Sequence, residues 1–310
     1  MMGAAKDRVE IVEVGPRDGF QSVAPFIPTA RKIAIIEALY AAGIRRMEAT
    51  SFVSPKALPQ LADAAEVLAA AQALPGLEAQ VLVPTARHAE RALEAGARHL
   101  AFVLSVSERH NRGNVRRAPA ESAEEYARIV AMLPEGTGLR LNLATAFDCP
   151  HLGRIDEAET LALLDGMADM APRAEVALCD TTGRVNPAHV QGLFTTAMER
   201  FPQVARWAFH AHDTYGLGAA NTLAAWNAGV RVFDASVAGL GGCPFAPGAT
   251  GNVATEDLVY MFDGMGVATG IDLSSLAAVA REVAELPEAQ TGGRVRVALA
   301  ARACIADIAA

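Results

Sequence analysis

Short apolar runs alternate with longer amphipathic segments along nearly the whole 310-residue chain. In the first amphipathic segment, Ile33, Ile36 and Leu39 recur at the spacing of one helix face, and Gly43 follows as a stop. Eight such segments alternate with eight apolar runs of strand length. Strands are predicted at 9–14, 46–50, 79–83, 100–106, 139–144, 175–179, 207–211 and 232–237, and helices at 30–42, 56–73, 86–95, 121–133, 156–171, 187–200, 217–228 and 255–264.

Three helix starts are predicted from local residue choices. Thr29 is placed as the N-cap of the first helix and Thr255 as the N-cap of the eighth. Ser54 followed by Pro55 is typical of a cap and a first helical residue, so the second helix is predicted to begin there.

Eight strand–helix units predict an α/β fold of the (β/α)₈ TIM-barrel type. A doubly wound open sheet is the alternative, but it favours a Gly-x-Gly-x-x-Gly turn after the first strand, and residues 15–19 read GPRDG. The whole chain, 1–310, is predicted to be one catalytic domain. Its last part, from about residue 272, is predicted to add helices outside the barrel.

The bulk composition narrows the class of protein. A hydrophobic fraction of 52% with 20% charged residues is typical of a soluble globular protein, and a net charge of −8 argues against nucleic acid as a partner. No uninterrupted membrane span and no signal peptide are recognisable. A reduced, cytoplasmic setting is expected, because the cysteines are too dispersed for a disulfide framework or a zinc knuckle; they are Cys149, Cys179, Cys243 and Cys304.

Two histidines at the end of the seventh predicted strand indicate a metal site. His210 and His212 are two residues apart, so their side chains share one face of a strand. The carboxyl ends of barrel strands form the active site, which would bring Asp18 and Asn252 to the same end. Imidazole with oxygen ligands suits Mg²⁺ or Mn²⁺ rather than structural zinc. A single histidine would be interpreted as a hydrogen-bonded core residue, but two histidines at this spacing favour a metal site.

Other polar residues at strand ends are candidates for catalysis. Arg17 would stabilise an oxygen that becomes negative, and Glu48, a charge within a strand, needs Arg17 as its partner. Two interpretations of Asp180 have equal weight: it is either a catalytic acid or the cap of a turn. Cys243 lies in a glycine-rich loop, where a thiol can reach a substrate.

Three further sites are expected to be structural. Cys179 precedes Asp180 and is predicted to face the helices as a small hydrophobe. Cys149 is expected to be a packing residue. The segment after the fourth strand is predicted to be a solvated loop, although its charges would suit an acidic ligand; they are His110, Arg112, Arg116 and Arg117.

Four segments resemble the 3-hydroxy-3-methylglutaryl-CoA lyases, and the resemblance covers nearly the whole chain. They are 14–21 (VGPRDGFQ), 48–55 (EATSFVSP), 210–216 (HAHDTYG) and 236–245 (SVAGLGGCPF). The last is the most specific, whereas the Arg-Asp and His-x-His pieces occur in a wider group of barrel lyases and condensing synthases.

The resemblance implies cleavage of an acyl-CoA thioester to acetyl-CoA and acetoacetate with a divalent cation, by a homo-oligomer. It assigns the metal to Asp18, His210, His212 and Asn252. It makes Arg17 the residue that stabilises the enolate, with Glu48 and Asp180 as supporting acids and Cys243 as a thiol for proton transfer. The base that takes the hydroxyl proton is left open between His210 and Asp180.

Residues 107–112 and 144–150 depart from the family pattern. Both segments border the site, so a methylmalyl- or citramalyl-type thioester is an alternative substrate. A condensing synthase would lack the Cys-Pro-Phe loop. A Schiff-base aldolase and a biotin-dependent carboxyltransferase need an active-site lysine, and none of Lys6, Lys32 and Lys56 lies at a middle or late strand end. A barrel kept only as a binding protein would have lost its metal ligands.

Overall fold

The computed structural model describes residues 7–242 and 251–309, the last seven without their side chains. Within these ranges the barrel strands are β1 (Glu10–Glu13), β2 (Arg46–Ser51), β3 (Glu78–Val83), β4 (His99–Ser105), β5 (Gly138–Ala144), β8 (Glu175–Asp180), β9 (Arg206–Ala211) and β10 (Val232–Ala235). These eight parallel strands close in the order β1-β10-β9-β8-β5-β4-β3-β2, which confirms the predicted TIM barrel. The remaining pair, β6 (Asp148–Cys149) and β7 (Gly153–Arg154), forms a small antiparallel hairpin that was not predicted.

Helices surround the barrel. They are α1 (Thr29–Ala41), α2 (Ala64–Gln72), α3 (Ala86–Glu94), α4 (Glu108–Val115), α5 (Pro119–Met132), α6 (Glu157–Asp165), α7 (Pro187–Arg200), α8 (Gly218–Ala228), α9 (Thr255–Gly264), α10 (Leu273–Ala284) and α11 (Val295–Ala309). Of the two helices beyond the barrel, α10 packs against α1 and α9, and α11 packs against α9 and α10. No helix of the described residues is long and apolar enough to cross a membrane.

Three helix starts differ from those predicted. The chain at Ser54 makes only one turn, and the backbone of Leu58 is extended because Pro59 follows it. As a result α2 begins at Ala64. The N-cap of α9 is Ala254, while the Thr255 hydroxyl donates instead to a Glu13 carboxylate oxygen at 2.7 Å. The first helix also starts one residue early, with Pro28 at the cap position and Thr29 inside the helix.

The barrel interior carries a connected chain of buried charges. At its closed end Arg46 contacts Glu175 at 2.8 Å, and Glu175 contacts Arg140 at 3.2 Å. Arg140 then donates to Asp234 at 2.7 Å. The same Asp234 oxygen lies 3.0 Å from Nδ1 of His210, so the chain of contacts runs from the barrel floor to its mouth.

Glu13 is buried on the outer side of β1. Its carboxylate accepts hydrogen bonds from the backbone of Gly15 and Val237 and from Thr255. Despite these bonds, burial raises the pKa of Glu13 to about 7, because the charged form loses its hydration. The group is therefore largely protonated in the folded protein at a pH where it is ionised in the unfolded chain.

Glu13→Gln is expected to flatten part of the pH dependence of stability. A folded-state pKa raised from 4.5 to about 7 gives stability that is present below pH 4.5 and lost as the pH rises through 7. Glutamine keeps the size and the accepting oxygen but does not titrate. Denaturant unfolding at pH 4.5 and 7.5 should show that the wild type loses up to roughly 3 kcal/mol more than the variant. Equal losses in both proteins would contradict the assignment.

Candidate active site

The turn after β1 positions two neighbouring charged residues at the mouth of the barrel. Residues Gly15–Gly19 form a π-helical turn in which the amides of Arg17 and Asp18 both point to the carbonyl of Val14. Gly15 permits it, since a Cβ there would lie 2.7 Å from a Glu13 carboxylate oxygen. Such turns are frequent at functional sites, and this one projects Arg17 and Asp18 side by side into the cavity.

Arg17 is held between two carboxylates. It is hydrogen-bonded to Asp18 on one side, and its other terminal nitrogen lies 2.8 Å from Glu48 on β2. The predicted Arg17–Glu48 contact is therefore present. Burial alone would lower the pKa of Arg17, but the charges of Asp18 and Glu48 outweigh it and hold that pKa above its usual range. The guanidinium is permanently charged and fixed in direction, as an oxyanion-stabilising group must be.

Asp18, His210 and His212 meet in one cluster. Each offers a ligand atom, and these atoms lie within 4.8 Å of one another. Burial favours a neutral carboxyl, but the nearby charge of Arg17, followed by those of His210 and His212, lowers the pKa of Asp18 to about 2. Burial, followed by the neighbouring His210, lowers the pKa of His212 to about 4. An ionised aspartate beside a neutral imidazole is the state in which both bind cations.

Asn252 completes the cluster from the segment before α9. Its amide nitrogen donates to Asp18 at 2.8 Å, which leaves its buried carbonyl oxygen without a partner among the described residues. The Nδ1 atom of His212 is likewise buried and unpartnered there. Buried polar atoms without partners are costly in a folded protein, so the presence of two of them on residues next to Asp18 fits a divalent cation bound by nitrogen and oxygen atoms.

The structure separates Asp180 from this cluster. Its carboxylate is buried, accepts from the amide of Gly183 at 2.9 Å and does not line the cavity. Burial raises the pKa of Asp180 to about 7. The prediction that Cys179 faces the helices is wrong: Cys179 is in register with His210 on the next strand and lies on the cavity wall. Burial also raises the pKa of the Cys179 thiol, which is therefore inert at neutral pH.

The cavity has a volume of about 1690 Å³ and extends well beyond the cluster. The segment predicted as a solvated loop in fact consists of the helix α4 and the residues that follow it, and it forms part of the wall through His110, Arg116 and Arg117. Nδ1 of His110 lies 2.7 Å from the Ser105 hydroxyl, and burial lowers the pKa of His110 to about 4. Cys149 is buried, as expected, and its sulfur contacts the Ser107 hydroxyl at 3.1 Å.

Cys243 lies outside the described residues, but the described residues on either side of that gap approach each other. A Cβ on Gly251 would lie 2.2 Å from the carbonyl of Gly241, so the two ends pass each other in backbone contact. Both glycines also have positive φ angles, at 130° and 91°. The described ends therefore return the chain to Asn252, beside the cluster of Asp18, His210 and His212.

The HMGL-like family model matches residues 8–283 of the chain. The chain belongs to this family. It is 40% identical to the mitochondrial hydroxymethylglutaryl-CoA lyase of Mus musculus over 95% of the chain and 90% of that protein. It is also 40% identical to the (R)-citramalyl-CoA lyase of Chloroflexus aurantiacus, over 88% of the chain and 89% of that protein. The protein is accordingly a carbon–carbon lyase.

Solved structures agree with this family membership. A 3-hydroxy-3-methylglutaryl-CoA lyase from Acinetobacter baumannii, in complex with coenzyme A and 3-methylmalate, matches with a TM-score of 0.88 and 40% identity, covering 95% of this chain and 96% of its own. The Bacillus subtilis lyase gives a TM-score of 0.89 at 36% identity, covering 94% of this chain and 98% of that one. The carboxyl transferase domain of Rhizobium etli pyruvate carboxylase shares the fold, at 21% identity and a TM-score of 0.68, over 89% of this chain and 47% of that one.

Asp234 is a site residue of this lyase that the sequence analysis did not identify. It lies on β10, accepts from Arg140 and contacts Nδ1 of His210, which leaves Nε2 of that ring available to a cation. Metal-binding histidines commonly donate their second ring N–H to a carboxylate in this way. The sequence did contain a signal for Asp234. Side chains alternate between the two faces of a strand, so Asp234 shares the inner face of β10 with Val232.

Asp234→Asn is expected to weaken Mn²⁺ binding about 10- to 100-fold with little loss of folding stability. A single Asp234 oxygen contacts both Arg140 and Nδ1 of His210, so the asparagine oxygen can still accept from both. What the variant loses is the negative charge that makes the imidazole a stronger ligand. Titration calorimetry with Mn²⁺ measures the affinity, and thermal unfolding checks the fold. An unchanged Mn²⁺ affinity would show that the charge of Asp234 does not strengthen His210 as a ligand.

Proposed function

We propose that this lyase cleaves 3-hydroxy-3-methylglutaryl-CoA to acetyl-CoA and acetoacetate with the aid of Mg²⁺ or Mn²⁺. The observation that carries the proposal is the pairing of a fixed guanidinium, Arg17, with the Asp18, His210 and His212 cluster at one end of a deep cavity. The names of the 40% identical relatives support the same chemistry.

The proposed cation site consists of Asp18, His210, His212 and Asn252. A divalent cation bound there would make the tertiary hydroxyl of the substrate more acidic. The proton that this hydroxyl loses is proposed to go to His210, because Asp180, the other candidate base, does not line the cavity. The residues around it maintain the ligands in their binding states: Asp234 fixes the His210 ring, and Arg17 keeps Asp18 ionised.

Arg17 is proposed to bind the thioester oxygen, which becomes negative when the carbon–carbon bond breaks. Glu48 holds Arg17 in that direction, since the two side chains lie 2.8 Å apart. Asp180 is proposed to support the site from behind the wall, because it fixes the turn that carries Thr181 to the cavity. Cys243 is proposed to protonate the departing methylene carbon.

The size and charge of the cavity fit an acyl-CoA rather than a free acid. The volume of about 1690 Å³ exceeds what an acyl group needs, and the wall includes Lys56, Arg87, Arg116 and Arg117. A long ligand with several phosphates would complement that wall. A homo-oligomer is proposed from the family resemblance, and light scattering of the purified protein tests the assembly. A cytoplasmic location is proposed from the dispersed cysteines.

A coupled assay tests the proposed reaction. Purified protein is mixed with Mg²⁺ and 3-hydroxy-3-methylglutaryl-CoA, acetyl-CoA release is followed, and EDTA is the control. Rapid EDTA-sensitive release is expected. Absence of release from protein that binds Mn²⁺ would refute this substrate. The second candidate, a citramalyl-type thioester, is favoured by the Chloroflexus relative, and the ratio of kcat/KM on the two thioesters decides between them.

Cys243→Ala is expected to lower turnover in this assay about 10²-fold, the scale of a lost general acid, without a change in unfolding temperature. Cys304→Ala is the matched control and is expected to have no effect. Wild-type turnover of Cys243→Ala would remove the thiol from the proposed mechanism.

A further inference from the structure

Asn142 is an uncharged polar residue on the inner wall of the barrel. It lies on β5, two residues beyond Arg140 and therefore on the same face of the strand, and it lines the cavity while only 7% exposed. Its register partners on the neighbouring strands are Val103 and Ala177. Neither has a polar side chain, so the amide has no partner at its own level of the barrel.

The orientation of the Asn142 amide is set by Arg140. The Nε–H of Arg140 donates to Oδ1 of Asn142 at 2.7 Å. Because a guanidinium only donates, the atom facing it must be the carbonyl oxygen and the amino group must point the other way. Within residues 7–242 and 251–309 that amino group donates to no protein acceptor, although it lies at the cavity.

Arg140 is itself immobilised, which makes the orientation of Asn142 permanent. The guanidinium is buried between Glu175, at 3.2 Å, and Asp234, at 2.7 Å. Through Asp234 the same guanidinium is connected to the ring of His210. The direction of the Asn142 amide and that of the His210 ring are thus both fixed by one buried group.

We infer that Asn142 determines specificity by donating a hydrogen bond to the free carboxylate of the acyl group. The inference rests on the proposed function, because it requires a substrate whose acyl group carries a free carboxylate in addition to the thioester. Of the acceptor groups on such a substrate, the thioester oxygen is assigned to Arg17 and the hydroxyl to the neighbourhood of Asp18 and His210. The carboxylate is the acceptor that remains, and a donor that cannot accept is suited to it.

A neutral amide suits this position better than another arginine would. Arg17 and Arg140 are already present, each with two carboxylates, and a third cation would compete for those acids. Asn142 adds a donor without adding charge. A hydrogen bond to an ionised acceptor would give about a 10- to 100-fold preference for the acid over an analogue without it.

The test compares two thioesters on three proteins by titration calorimetry in EDTA, so that no turnover is needed. The first thioester is 3-hydroxy-3-methylglutaryl-CoA, and the second, 3-hydroxy-3-methylbutyryl-CoA, has a methyl group in place of the carboxymethyl group. The proteins are the wild type, Asn142→Asp and Asn142→Ala. Aspartate keeps the contact with Arg140 but replaces the donor with an acceptor, and alanine removes the side-chain donor without adding charge.

The wild type is expected to bind the acid thioester at least 10-fold more tightly than the analogue. Both variants should lose this preference, while their affinity for the analogue stays within about twofold of the wild type. Equal weakening of both thioesters, or a preference that survives in both variants, would overturn the inference. A wild type with the Asn142-dependent preference that releases no acetyl-CoA would instead refute the proposed function and leave this inference standing.

Discussion

Arg17→Gln is expected to lower kcat about 10²- to 10³-fold while changing KM by much less. The reason is that the charge on the thioester oxygen grows as the carbon–carbon bond breaks, so the loss appears in the transition state rather than in substrate binding. Glutamine keeps a donor near the oxygen but removes the positive charge held by Asp18 and Glu48. Steady-state kinetics in Mg²⁺ measure the effect.

Arg17→Lys is the matched variant. It restores the charge, but an ammonium cannot reproduce the planar fork that contacts both carboxylates. Intermediate turnover is therefore expected, with Mn²⁺ affinity near that of the wild type. A rise in KM with an unchanged kcat in Arg17→Gln would show that the residue only binds substrate.

His210→Ala is expected to abolish tight Mn²⁺ binding and to lower turnover at least 10²-fold, because the loss of a ligand exceeds the loss of a supporting contact. The side chain is mostly buried, but it stands at the cavity rather than in the apolar core, so the unfolding temperature should change little. Metal analysis after dialysis and the acetyl-CoA assay are the two measurements.

His151→Ala is the control for His210→Ala, since His151 is exposed and does not line the cavity. It is expected to keep both metal and activity. Retention of one equivalent of Mn²⁺ by His210→Ala would mean that the cation is held by other residues, and the proposed ligand set would be wrong.

Regular alternation made the barrel predictable from the sequence. Each strand buries one face inside the barrel and one under the helices, so eight apolar runs separated by helical patterns have few other arrangements. The same regularity located His210 and His212, whose shared face follows from a spacing of two.

Features that depend on contacts between distant strands were not predictable in this way. Cys179 was assigned to the wrong face because Asp180, its polar neighbour, was taken to point inward; the register with His210 shows the opposite. The partner of a buried charge is visible in a sequence only when one candidate is obvious, as for Glu48 and Arg17. For Asp234 the sequence offers several possible partners, and only the closed barrel brings Arg140 and His210 next to it.

The buried charges from Arg46 to His210 set a limit on redesign of this barrel. Replacing a buried ion network by well-packed leucine and isoleucine often increases the stability of a protein. Here such an exchange at Arg46 or Glu175 would remove the groups that hold Arg140, and with it the direction of the His210 ring. A thermostabilised version of this enzyme would therefore lose catalysis through substitutions made at the end of the barrel farthest from its substrate.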